Sequence, residues 1–306
     1  MHDASHAHAH HGPGHAPDHF GLSFGIAAAL NLALVIGEVW YGLAANSLAL
    51  LADAGHNFGD VMGLLMAWGA IVIADWRPSN RFTYRMHAAS ILSAFANGAI
   101  LLLATGAIAL EAIRRFSDPQ PVASTTVIVV AVLAVAANGI SAWLLSRGGK
   151  SDLNVRGAFL HMMADAGVSV AVIAAALGIM LTGWQWLDPV ASLMISAVIL
   201  WGTWGLLRES ILLTLNAAPR DIDPHDVRQY FAGLPQVAGV HDLHIWAMST
   251  KDTALSCHLV TPDGHPGDDF LQRVAHELHH RFDIGHATLQ IELAAGVCSL
   301  QCESTV

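Results

Sequence analysis

The chain has 306 residues, of which 54% are hydrophobic and only 12% are charged, and its mean hydropathy is +0.49. Soluble domains carry about 25% charged residues, so this composition argues against an ordinary soluble enzyme and indicates a membrane protein. The formal net charge is -10 and no basic patch is visible, which argues against a nucleic-acid partner. Nineteen histidines are unusual, and histidine is the commonest metal ligand in proteins.

Residues 1–20 form a histidine-rich tail, which we expect to be disordered, cytoplasmic and able to capture metal weakly. Small and polar residues separate its histidines, so the tail cannot build an apolar core. No Lys or Arg precedes the apolar stretch that begins at Phe20, which indicates a retained helix rather than a cleaved signal peptide. The tail histidines are His2, His6, His8, His10, His11, His15 and His19.

Six apolar stretches follow, and each exceeds the roughly 20 residues that a helix needs to cross a bilayer. Backbone groups in lipid must hydrogen-bond within their own segment, so we predict six membrane helices. Together they make a six-helix transmembrane domain over residues 21–213. The predicted spans are 21–44, 48–74, 88–112, 122–145, 155–181 and 189–212.

Basic residues between the spans predict the orientation of the chain. One set of loops contains only Arg114 and Arg115, whereas the other side holds seven basic residues. The positive-inside rule places the larger set in the cytoplasm, and six spans then leave both termini there. The larger set is Arg77, Arg81, Arg85, Arg147, Lys150, Arg156 and Arg208.

Beyond the last span, residues 214–306 form a second unit with short alternating patterns. These patterns predict the order helix, strand, strand, helix, strand, which makes a small α+β domain. The predicted helices are 224–234 and 268–282, and the predicted strands are 237–247, 253–260 and 286–293.

The second and fifth spans carry the same His-x-x-x-Asp pattern, His56 with Asp60 and His161 with Asp165. A spacing of four places both side chains on one face of a helix. An ionised Asp at bilayer depth is costly, so it should face a cavity or a partner. Two imidazoles and two carboxylates suit tetrahedral zinc, whereas magnesium and calcium prefer oxygen and copper(I) prefers thiolates. A hydrogen-bonded helix contact would explain one such pair, but the repeated spacing favours a metal site.

Four motifs resemble those of the cation diffusion facilitator family. Residues 47–60 and 161–165 resemble its second-helix and fifth-helix signatures, and residues 240–246 and 286–292 resemble its cytoplasmic motifs. The resemblance implies a homodimer with six membrane helices and a ferredoxin-like cytoplasmic domain in each subunit. It also implies export of a divalent metal in exchange for protons by alternating access, with zinc preferred and cobalt or cadmium accepted.

The resemblance further implies a regulatory zinc site in the cytoplasmic domain, with four candidate ligands: His241, His258, His286 and Glu292. Ordinary surface histidines are the alternative. His244 follows His241 by three residues, so strand alternation predicts that it points to the opposite face. Cys298 and Cys302 offer half of a zinc site at best and are weak candidates, with inert thiols as the alternative.

Other polar residues have simpler interpretations. Glu38 is expected to make helix–helix hydrogen bonds, although it could also line the transport cavity. Asp188 precedes Pro189 at the start of a span, where capping of its own helix would explain it. Residues 81–87, between the second and third spans, offer one histidine, so no additional metal site is expected there.

The sequence therefore predicts a proton-coupled zinc exporter in a bacterial inner membrane, with zinc as substrate and regulator and no organic cofactor. Metal binding needs neutral imidazole and ionised carboxylate, so it releases protons. An intramembrane zinc metalloenzyme with the same four ligands and a metal-gated channel are the alternatives. Residues 276–280 match the zinc-protease pattern His-Glu-x-x-His, but so small a domain leaves no room for a substrate cleft, so we do not expect an enzyme.

Overall fold

The structure is a computed structural model that describes residues 20–74, 76, 79–147 and 153–293. The six predicted helices are confirmed. Over the described residues, five of them are long and apolar enough to cross a membrane, and the first contributes a shorter apolar stretch, Asn31–Ala44. The helices are α1 (Phe20–Ala44), α2 (Leu48–Ala74), α3 (Ala89–Arg115), α4 (Ser124–Arg147), α5 (Leu153–Thr182) and α6 (Leu187–Thr214).

The helices form a bundle in which α2 is central and contacts α1, α3, α5 and α6. Small side chains such as Ala52, Ala131 and Ala176 are buried where helices meet, which lets the backbones approach closely. Large apolar side chains lie on the outside instead, among them Leu181 and Trp201. This inverted arrangement is typical of helices that face lipid.

Asp188 caps α2 rather than its own helix, so the capping predicted from the sequence is wrong. The residue lies inside the first turn of α6 and is buried against the start of α2. Its carboxylate accepts hydrogen bonds from Ser47 Oγ at 2.5 Å and from the backbone amides of Leu48 at 2.7 Å and Ala49 at 3.3 Å. The two amides belong to the first turn of α2, where backbone N–H groups have no partner within the helix and need another acceptor in an apolar bundle.

Arg115, the last residue of α3, extends this network. Its guanidinium donates to the backbone carbonyl of Asn46 at 2.7 Å and to Asn46 Oδ1 at 2.8 Å, and it lies 4.0 Å from the Asp188 carboxylate. Asn46 has a left-handed backbone (φ 55°), a conformation that asparagine tolerates well. The network ties α2, α3 and α6 together at one end of the bundle.

The C-terminal domain follows α6 at the other end and has the predicted order of elements. They are α7 (Pro224–Ala232), β1 (Gly239–Ala247), β2 (Thr253–Val260), α8 (Asp268–Phe282) and β3 (His286–Glu292). The sheet has the order β1-β2-β3, with β1 antiparallel and β3 parallel to β2. One face of the sheet packs on both helices through Phe231, Leu255, Leu259 and Leu278. The other face carries the histidines of β1 and β2.

The β1–β2 turn contacts the segment that joins α2 to α3 and the start of α3. His87 Nδ1 lies 3.0 Å from Asp252 Oδ2, and the backbone amide of Thr250 donates to Ser90 Oγ at 3.0 Å. The hydrogen bond from Ser249 is the largest cause that lowers the pKa of Asp252, and the bond with His87 adds to it. An ionised Asp252 therefore holds the C-terminal domain against the membrane bundle.

We expect Asp188→Ala to lower the free energy of unfolding by about 1–3 kcal/mol, because three buried donors at the start of α2 lose their acceptor. Thermal unfolding in detergent measures the change. Asp118→Ala is the matched control, because Asp118 is exposed at the same end of the bundle. Equal midpoints for the two variants would show that the buried cap adds no stability.

We expect Asp252→Asn to speed amide hydrogen exchange in residues 83–90, because the variant weakens the contact with the β1–β2 turn. The lowered pKa of Asp252 means that its stabilising charge is present above its unfolded pKa and is lost only as pH falls through the folded pKa. The difference from wild type should therefore persist from about pH 8 down to about pH 5. Asp263→Asn, in an exposed loop of the same domain, should leave exchange unchanged.

Candidate metal centre

Helices α2 and α5 bring the two His-Asp pairs into one cluster. His56 Nε2 lies 3.1 Å from Asp165 Oδ1, and His161 Nε2 lies 3.2 Å from Asp60 Oδ2. The pairs within each helix are longer, at 3.9 Å for His56 with Asp60 and 3.7 Å for His161 with Asp165. Each imidazole is thus closer to the carboxylate of the other helix, and the pairing is crossed.

The spacing of these four side chains suits a small tetrahedral ion. Zinc binds histidine nitrogen and carboxylate oxygen at about 2.0–2.2 Å, which separates tetrahedral ligands by about 3.3 Å. The four nitrogen–oxygen distances, from 3.1 to 3.9 Å, lie around that value. The donors of His56, Asp60 and Asp165 all lie within 4.8 Å of one another, and the two imidazole rings are 6.0 Å apart. The set can enclose a zinc-sized ion with small side-chain movements.

The solvent exposure of the four side chains is highest at the end of the cluster that is nearer the C-terminal domain. The exposed fraction of the side chain is 44% for His161 and 34% for Asp60, but 23% for His56 and only 2% for Asp165. Helix α2 runs toward the C-terminal domain and α5 runs away from it, so His161 and Asp60 are the members nearer that domain. An ion arriving from that end would meet these two candidate ligands first.

A second cluster lies on the open face of the C-terminal sheet. His241 Nε2 lies 2.9 Å from one oxygen of Glu292, and His258 Nδ1 lies 3.0 Å from the other. The two imidazole rings are 5.1 Å apart. Each of the three strands therefore contributes one donor side chain to a compact site.

The structure does not bring His286 to this cluster. His286 and Glu292 stand at opposite ends of β3, paired with Ala254 and Val260 of β2. Six residues of strand span about 20 Å, too far for one ion. His286 instead contacts the α2–α3 segment, where its Nε2 lies 3.4 Å from the hydroxyl of Tyr84. Only three of the four candidates in this domain come together.

The expectation for His244 is wrong, because a β-bulge changes the alternation of β1. The register shifts between His241 and His244, and Asp242 at the bulge has a left-handed backbone (φ 52°). His244 therefore pairs with Ser256, on the same face as His258. The Asp242 carboxylate lies 3.0 Å from His244 Nε2 and 3.5 Å from His258 Nε2. Sequence reasoning missed Asp242, since alternation alone does not reveal an extra residue.

The remaining candidates do not add a third cluster among the described residues. Cys298, Cys302 and the histidines of the tail lie outside those residues. Cys257 lies in the domain core, and burial raises the pKa of its thiol to about 12, so it stays protonated. His276 and His280 of the protease-like pattern lie on the exposed side of α8. Their rings meet edge to face, with ring centroids 4.3 Å apart.

Comparison with known proteins assigns both parts of the chain. The profile of the cation efflux transmembrane domain matches residues 25–213, and the profile of the cation efflux protein cytoplasmic domain matches residues 219–294. Together these profiles cover most of the chain.

Several bacterial relatives align over most of their own length. The chain is 37% identical to the cadmium, cobalt and zinc/H(+)-K(+) antiporter of Bacillus subtilis, over 85% of each chain. It is 38% identical to the metal cation efflux system protein CzcD of Cupriavidus metallidurans, over 95% of this chain and 90% of the relative. It is 37% identical to the zinc transporter ZitB of Pectobacterium atrosepticum, over 87% and 83%.

The relatives are named as transporters and both matched profiles are of cation efflux proteins, so the chain is a transporter rather than an enzyme. Its apolar helices make it a multi-pass membrane protein. The matched profiles, the identity to these relatives and the helical bundle with its α+β domain show that the chain belongs to the cation efflux family, the cation diffusion facilitators.

Proposed function

We propose that this metal-cation transporter exports zinc from the cytoplasm in exchange for protons, and that it also accepts cobalt and cadmium. The transport site is the crossed cluster of His56, Asp60, His161 and Asp165. The observation that carries the proposal is the meeting of two imidazoles and two carboxylates at zinc spacing between apolar helices. The name of the Bacillus subtilis relative, which includes all three metals and H(+), supports it.

Proton exchange follows from the chemistry of the crossed pairs. A bound ion takes the Nε2 lone pairs of His56 and His161, so both imidazoles must be neutral. Without the ion, each imidazole can bind a proton and pair with a carboxylate of the other helix. Metal and protons therefore compete for the same atoms. Alternating access lets the ion bind from the cytoplasm and lets protons displace it on the far side.

The same proposal covers the division into domains, the membrane, the orientation and the oligomeric state of the chain. The chain divides into the tail (1–20), the transport domain (21–213) and the cytoplasmic domain (214–306). It lies in a bacterial inner membrane as a homodimer, with both termini in the cytoplasm. The excess of basic residues on one side and the bacterial origin of the relatives support this placement. The match of residues 219–294 to the family's cytoplasmic domain supports the dimer.

The second cluster, on the open face of the C-terminal sheet, suits a regulatory zinc ion. His241, His258 and Glu292 supply nitrogen and oxygen donors within 4.8 Å of one another, and His241 Nδ1 is buried without a hydrogen-bond partner among the described residues. Asp242 offers a further oxygen near His258. An ion held by these residues would join β1, β2 and β3, and so would stiffen the sheet when cytoplasmic metal is abundant.

Asp165→Ala tests the transport site. We expect zinc flux driven by a pH gradient in proteoliposomes to fall about 100-fold or more, because the most buried ligand is lost. Asp118→Ala, at an exposed position outside the site, should keep wild-type flux. Wild-type flux that ignores both the pH gradient and an imposed potassium gradient would indicate a channel. Zinc flux that depends on the potassium gradient alone would show that potassium, and not the proton, is the counter-ion.

His258→Ala tests the regulatory site. We expect the purified variant to bind one zinc ion fewer per chain than wild type in equilibrium dialysis, while gradient-driven zinc flux persists. His286→Ala is the matched control and should bind as much zinc as wild type, because His286 lies at the other end of β3. Loss of an ion in the His286 variant but not in the His258 variant would place the site elsewhere.

A further inference from the structure

A second pair of carboxylates lies in the bundle beside the transport site. Glu38 of α1 and Asp53 of α2 are both fully buried, with 0% exposed surface. Glu38 Oε2 accepts a hydrogen bond from Asn57 Nδ2 at 3.1 Å, and Asp53 Oδ2 accepts one from Ser169 Oγ at 2.8 Å. The other oxygen of each carboxyl group has no hydrogen-bond partner among the described residues. Helix–helix hydrogen bonds therefore use only one of the two oxygens of each carboxyl group.

The charges around this pair do not balance two carboxylates. The charged and titratable groups that act on Glu38 are Asp53 and His56 of α2 and Asp165 of α5. His56 and Asp165 also act on Asp53. Helix α4, which also packs on α1, has no titratable residue before Arg147 at its end. Two uncompensated negative charges in a dry interior are very costly, so the pair must take up a cation.

We propose that Glu38, supported by Asp53, is a proton-binding site that is separate from the metal ligands and carries a counter-ion of metal export. This inference rests on the proposed function, because it needs a metal ion bound at the crossed cluster. A proton is the cation that fits best, because it turns one carboxylate into a neutral acid and requires no further ligands. The unpartnered oxygens of Glu38 and Asp53 are where it would bind.

The position of the pair links the proton to the metal. Asp53 precedes His56 by three residues, about 4.5 Å along the helix, and lies on the side away from the C-terminal domain. A divalent ion at the cluster favours ionisation of Glu38 through space, so one carboxylic acid becomes one carboxylate and the proton leaves to water. When the ion departs on the far side, the carboxylate takes a proton from there. Each cycle thus moves metal and proton in opposite directions.

Glu38→Gln tests the proton site in the purified full-length protein. The amide keeps the shape of the side chain and an oxygen that accepts from Asn57. We expect the variant to bind zinc and to exchange zinc for zinc across proteoliposomes. The slope of log Kd for zinc against pH should fall by about one proton per ion. Zinc flux driven by a pH gradient should fall about tenfold or more.

Infrared difference spectra on zinc addition give an independent measurement. Wild type should lose a carboxylic-acid C=O band when zinc binds, and the Glu38→Gln variant should lack this change. Asp53→Asn, which can still accept from Ser169, should shift or remove the same band. Glu111→Gln is the matched control, a glutamate on α3 whose side chain is 44% exposed. It should leave the slope, the band and the flux at wild-type values.

Two results separate this inference from the proposed function. If Asp165→Ala keeps gradient-driven flux, the transport site is wrong. If Asp165→Ala loses flux while Glu38→Gln and Asp53→Asn keep the wild-type slope and infrared band, only the proton site is wrong.

Discussion

A charge in the apolar interior of this bundle is stable only where a polar partner or a bound ion compensates it. That constraint explains where the polar residues of the membrane helices lie. The Asp188 carboxylate accepts hydrogen bonds from the backbone amides at the start of α2 and lies near Arg115. His56 and His161 each pair with a carboxylate of the neighbouring helix. The Asp188 network and the crossed pairs are therefore compensated layers between apolar surfaces.

In the proposed transport site, the crossed pairing makes the contacts depend on the separation of α2 and α5. Two pairs confined to single helices would leave α2 and α5 free to move apart without changing either pair. Because His56 pairs with Asp165 and His161 with Asp60, separation of the helices breaks both contacts together. A zinc ion bound at the proposed site would bridge the same two helices. Exchange of that ion for protons would therefore alter the contact between α2 and α5.

Periodicity in the sequence was enough to predict most of the architecture. Residues 253–260 and 268–282 were assigned with the bounds that the structure has, because alternation and amphipathic spacing are strong there. Contacts that depend on a bulge or on a neighbouring helix could not be predicted. The bulge at Asp242 turns His244 to the face of His258, and the long β3 strand separates His286 from Glu292. The sequence pattern predicts the element on which a residue lies, but packing decides which residues come into contact.

The order of polar residues along α2 also suggests how one helix could help to bind both the metal ion and the proton. Asp53, His56 and Asp60 follow one another at spacings of three and four, so they occupy successive turns near one face. Asp53 reaches Ser169 of α5, while the neighbouring Asn57 reaches Glu38 of α1. Exposure decreases in the same order from Asp60 to Asp53. In the proposed mechanism, a metal ion near His56 and Asp60 would act electrostatically on the buried Asp53 and Glu38, so coupling between metal and proton would need no contact between them.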